Sequence, residues 1–162
     1  MMARPDVRGN RSGSLGAGIV FPAMGDLPPQ RHLILILARN FASRLATAAF
    51  LVDPDGRVIY FNEAAEKLLG TGFGEGHGMS RKEYLERFRV ADEHGERVAV
   101  ADTPLGIAVM RREPAHMPVT ITAGDGVARR IEATAFPLMA HAGELVGAIA
   151  FFWEGVPKSA EG

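Results

Sequence analysis

The chain has no cysteine among its 162 residues. Disulfides, thiolate metal sites and a cysteine nucleophile are therefore excluded, and the absence suits a reducing compartment. Charge of one sign is also missing: 18 Lys and Arg stand against 19 Asp and Glu, a net charge of −1. The basic face that nucleic acid requires is not there. No apolar run reaches the roughly 18–20 residues of a membrane-spanning helix. The nearest, LILILA at 33–38, is bounded by Arg31 and Arg39. GIVFPAM at 18–24 is too short for a secretory signal and is broken by Pro22. These absences predict a cytoplasmic protein with no nucleic-acid or membrane partner.

Catalytic patterns are absent as well. The histidines at 32, 77, 94, 116 and 141 show no ligand spacing with one another or with carboxylates, so no metal site is expected. Glycine recurs at every second position from 70 to 78, but G-x-G-x-x-G fails at Glu75 and His77, and no G-K-[ST] follows. That run reads as a flap over a pocket or as a slack surface loop. Ser80 lacks a G-x-S-x-G setting and is explained as a helix cap. Asp53, Asp55 and Asp92 sit in turn patterns, where short polar side chains stabilise the bend.

What is present is a succession of clear local signals. At 47% hydrophobic and 23% charged, the chain can build one core of ordinary domain size. Residues 1–29 are rich in Gly, Pro, Arg and Ser and read, with 156–162, as disordered tails. Residues 30–46 predict a helix: Leu33, Ile34, Leu37, Phe41 and Leu45 recur at helical spacing, while Leu35 and Ile36 widen the apolar surface beyond one stripe. In FLVDPDGRVIYFNEAAEKLLG, strands at 50–52 and 58–61 flank an Asp-Pro-Asp-Gly turn. A short helix follows, with Asn62 as N-cap and Gly70 as C-cap. Ser80 and Glu83 form a capping box for a helix over 81–88, and Thr103-Pro104 starts another that runs to Arg112. Strands are predicted at 118–123, 128–139 and 144–154, joined by short glycine-ended links that make neighbours antiparallel.

The stretches FLVDPDGRVIYFNEAAEKLLG, DEHGERVAVADTPLGIAVMRREP and VTITAGDGVARRIEATAFPLMAHAGELVGAIAFFWE resemble, in order and spacing, a PAS domain. The resemblance spans about 45 to 154 and includes the Pro-Leu … Gly-x-x-Val-Gly passage at 137–147. It implies an α+β fold: a five-stranded antiparallel sheet with helices on one face, occupying 47–155. The N-terminal helix would pack on the other face. It also implies a non-catalytic sensor or signal-transduction module that works through dimerisation or partner contact, with the signalling partner supplied in trans; the apolar strand faces point to a small apolar ligand. Two alternatives stay open: a constitutive docking scaffold with a filled core, and a small α+β isomerase, for which Glu132 is the only acid within the late strands. The flavin photosensors of this family need a reactive cysteine, so that photocycle is excluded. Haem-binding members use a histidine in or near the central helix; 104–112 has none, and His94 and His116 only flank it. The identity of any cofactor is left unassigned.

Strand alternation assigns faces. Ile131, Ala133 and Ala135 share one face of their strand, and Phe136 and Leu138 the other. Both faces are apolar, so both must be covered. Grouping the strand residues by position and adding Ile107 and Met110 from the helix 104–112 gives a ligand wall of Leu51, Ile107, Met110, Ile121, Ile131, Ala133, Ala135, Ile149 and Phe151. It gives a dimer-forming outer surface of Leu33, Ile34, Leu37, Phe41, Phe136, Leu138 and Phe152.

Overall fold

The computed structural model of the chain describes residues 29–73 and 78–156. Apart from Pro29 and Val156, the two tails expected at the ends fall outside the described residues, as do Glu75 and His77. Helix α1 (Pro29–Ala42) leads into β1 (Ala48–Val52), β2 (Val58–Phe61), α2 (Glu63–Leu69) and α3 (Arg81–Arg87). Then come β3 (Arg89–Ala91), α4 (Pro104–Met110), β4 (Ala115–Thr122), β5 (Ala128–Met139) and β6 (Leu145–Glu154). The strands form one antiparallel sheet in the order β2-β1-β6-β5-β4-β3.

Local chemistry explains most boundaries. The Asp53 carboxylate accepts from the Asp55 and Arg57 amides, and Gly56 takes φ 78°, closing the β1–β2 turn. Ser80 and Glu83 form the reciprocal capping box of α3, with the Ser80 amide 2.7 Å from Glu83 Oε2. The Thr103 hydroxyl caps α4 by accepting from the Gly106 amide. Helix α1 stops at Ala42, four residues before the expected end at 46; the chain turns there, the Ala42 carbonyl accepting from the Leu45 amide and from the Asn62 side-chain amide.

The sheet has six strands where five were expected. The added strand, β3, has only three residues and no readable alternation. Its pairing with Thr120–Thr122 of β4 defines it. Over the rest of β4 the side away from β5 is an edge, which is where Pro118, with no N–H to give, can sit in a strand.

Two apolar layers flank the sheet. On one face Phe50, Phe61, Phe88 and Phe152 gather under α2, α3 and α4, with Phe50 and Phe61 stacked at 4.1 Å and Phe50 and Phe152 edge-on at 4.6 Å. On the other, Leu35, Ala38 and Ala42 of α1 pack on Ala49, Leu51, Ile149 and Phe151.

This layering corrects the grouping by strand position. Ala133 pairs with Phe152 and Ala135 with Ala150, so Phe152 lies on the helix-covered inner face and is 3% exposed. Phe151 and Ile149 pair with Thr134 and Phe136 on the outer face, and Leu51, paired with Ile149, joins them beneath α1. The cause is a bulge. At Met139↔Leu145 the register would have put odd residues of both strands on one face, but from Leu138↔Gly147 onward it is shifted by one residue.

Candidate functional site

The inner face and the helices above it form two small, partly open cavities, each of about 50 Å³. The inner one lies between α4 and the sheet, lined by Phe50, Tyr84, Val90, Thr103, Pro104, Leu105, Val119, Ile121, Ile131, Ala133, Ala150 and Phe152. The outer one opens beside the β1–β2 turn, lined by Asp55, Gly56, Val58, Arg81, Tyr84, Val100, Thr103, Leu105, Gly106, Val109 and Met110. Tyr84, Thr103 and Leu105 line both.

Each element places its share for an identifiable reason. The capping box orients α3 so that Tyr84 meets Phe50 edge-on at 6.1 Å and Phe88 at 5.0 Å. Helix α4 rests directly on the turn at Val100–Asp102: a Cβ at Gly106 would lie 1.7 Å from the Val100 carbonyl oxygen, so only glycine permits the approach. The Thr103 hydroxyl donates to the Val100 carbonyl at 2.7 Å and accepts from the Gly106 amide at 3.1 Å. A phenol is protonated at neutral pH and can donate, and burial pushes that of Tyr84 further up, to about 12.

Of the residues expected to line a ligand site, Ile121, Ile131 and Ala133 border the inner cavity and Met110 the outer, where it is 59% exposed. Ala135 is buried in the same core but borders neither. Leu51, Ile149 and Phe151 are on the opposite side of the sheet. Ile107 lines neither cavity; Leu105 and Val109 take its place. With seven residues and Leu105, Ile107, Val109 and Met110 spread around it, α4 is too short for periodicity to tell which side faces in. Phe50, Tyr84 and Val119 were missed because apolar pattern marks a core residue and only tertiary packing marks one beside a void; Phe152 was missed through the register shift between β5 and β6.

Of the expected outer surface, Leu33, Leu37, Phe41 and Phe136 are exposed, while Leu138 is half-buried against the α1 layer. Ile34 is half-buried at a groove with Met139 and His141. The Phe151 ring bridges the two sets, edge-on to Phe41 at 6.5 Å and 6.4 Å from Phe136. His116 lies on this side too, its Nε2 3.2 Å from Glu132. His94 is in the exposed Asp92–Gly95 turn. Neither borders the cavities, and among the described residues no group of three or more His, Asp or Glu could hold a metal ion.

The profile of the PAS fold matches residues 42–154. Among solved structures, the PAS domain of Bordetella pertussis BvgS is similar at 17% identity and TM-score 0.52, covering 76% of this chain and 87% of that one. A Rhodobacter sphaeroides LOV protein is similar at 15% identity and TM-score 0.58, covering 82% and 71%. A phage VqmA, solved as a complex with DPO, is similar at 16% and TM-score 0.55, covering 78% of this chain and 55% of that one. No curated protein matches.

Proposed function

The chain belongs to the PAS family, whose members are commonly sensory or signalling modules, and from that premise we propose that it is a non-catalytic sensor that binds a small apolar ligand beneath α4 and signals through dimerisation. The observation that carries this is the pair of mainly apolar cavities whose walls have Tyr84, Thr103 and Leu105 in common. Ligand pockets are mostly apolar with a few placed polar groups, and Tyr84 is such a group. Filling the void moves α4, and α4 packs on β4, β5 and β6. The far side of β6, with that of β1, carries α1, so a ligand that binds one α4 position better than another shifts the outer surface as well. The absence of cysteine supports placement in the cytoplasm, and among the described residues no helix is long and apolar enough to cross a membrane.

Mass spectrometry of natively purified, then denatured, protein tests the reading. A small molecule released from the parent chain and lost from Ala133→Leu is expected; a clean spectrum from both, repeated across growth conditions, would sink it. The small size of the two voids favours one rival, a constitutive docking scaffold. That rival predicts the clean spectrum, together with unimpaired self-association of Ala133→Leu.

A further inference from the structure

The two cavities have Tyr84, Thr103 and Leu105 in common. The two polar ones differ in what they have left to offer. The Thr103 hydroxyl is already used in both directions. The Tyr84 hydroxyl makes no hydrogen bond among the described residues, yet no wholly buried side-chain polar atom there lacks a partner, so this hydroxyl borders open space. The rest of the inner wall is apolar apart from these two groups. At the outer mouth stand Asp55 and Arg81, exposed and of opposite charge. Neither is in an ion pair among the described residues.

We infer, resting on the sensor reading above, that the ligand is a narrow, uncharged alkyl ketone or close analogue whose apolar arms occupy both cavities and whose carbonyl oxygen accepts a hydrogen bond from the Tyr84 hydroxyl. Each void alone is too small for such a molecule. In this binding mode Leu105, the apolar side chain common to both walls, turns to another staggered rotamer so that a flexible chain threads from one to the other. The unused hydroxyl of Tyr84, a residue common to both walls, matches one acceptor in mid-ligand. A carboxylate there would be buried without a cation beside it, and at the mouth the Asp55 charge offsets that of Arg81.

Titration of the full chain with methyl hexyl ketone and with octanoate at neutral pH, followed by NMR shifts of the α3 and α4 amides, tests this. The ketone is expected to bind at least about tenfold tighter than octanoate, the ratio expected when a charge is excluded. Tyr84→Phe, with an unchanged circular dichroism spectrum, should weaken the ketone by about five- to tenfold, the loss of one hydrogen bond, and leave octanoate unaffected. Octanoate binding as tightly as the ketone, or a ketone affinity indifferent to Tyr84→Phe, overturns the ligand class; if Ala133→Leu still abolishes that binding, the sensor reading stands. No shift with either probe overturns the ligand class, and the mass-spectrometric result then decides the sensor reading separately.

Discussion

Asn62 is 1% exposed and holds four parts of the chain together. Its Oδ1 accepts from the Ala49 amide in β1 and the Ala65 amide in α2, both at 2.9 Å. Its Nδ2 donates to the carbonyls of Ala42, at the end of α1, and Thr47. The cap of α2 was legible in the sequence; the grip on α1 was not, since it joins residues 20 positions apart. Replacing Asn62 by Ala leaves several buried backbone groups unpaired and should cost roughly 3–5 kcal/mol, measured by urea unfolding; a loss under about 1 kcal/mol would mean water replaces the side chain. Asp125 has the opposite setting, an exposed turn. The Arg129 guanidinium, 2.5 Å from Oδ2, and then the Val127 amide hold its carboxyl at about 2. Because the folded value is depressed, this pairing contributes fully above the ordinary value of 3.8 and is lost as pH falls through about 2. NMR titration of the side-chain carboxyl should show that low midpoint, and an ordinary one would show the pair is not formed in solution.

At the scale of elements, α4 and the β5–β6 bulge decide where the site is. Ala is ordinarily favoured over Gly inside a helix by about 1 kcal/mol. At Gly106 the sign reverses, because a Cβ meets the Val100 carbonyl. Gly106→Ala should therefore lower stability by about 1–3 kcal/mol, the usual range for overpacking, visible as a lower melting temperature; a rise would show that α4 can lift away without loss. The bulge explains why strand extents were readable and faces were not. Residues 128–139 were expected as one strand and form one, and the Pro104 start of α4 was likewise legible. The relation between β5 and β6, however, turns on one extra residue near Val146, and alternation within either strand carries no trace of it.

On the scale of the whole molecule, α1 has two apolar stripes. Leu35, Ala38 and Ala42 dock on the sheet. Leu33, Leu37 and Phe41 face away, the last two 57% and 58% exposed, beside exposed Phe136. A second copy covering them would gain on the order of 1.5–3 kcal/mol for each large side chain removed from water. Sedimentation of the full chain should show a dimer, and Leu37→Glu with Phe41→Glu should give a folded monomer, since both side chains are more than half exposed and only the edge contact of Phe41 with Phe151 is given up. A parent chain that stays monomeric at high micromolar concentration would remove dimerisation from the proposed signalling route.

By itself the sequence determined the turns, the caps, the long strands and the surplus of apolar surface on the leading helix. Each of these depends on residues within a few positions of one another, where backbone geometry and side-chain chemistry act directly. Tertiary structure alone decided which face of β6 meets the cavity, which side of α4 looks inward, and that Asn62 reaches α1. Those outcomes depend on strand register and helix rotation, which are set by packing between segments distant in the chain.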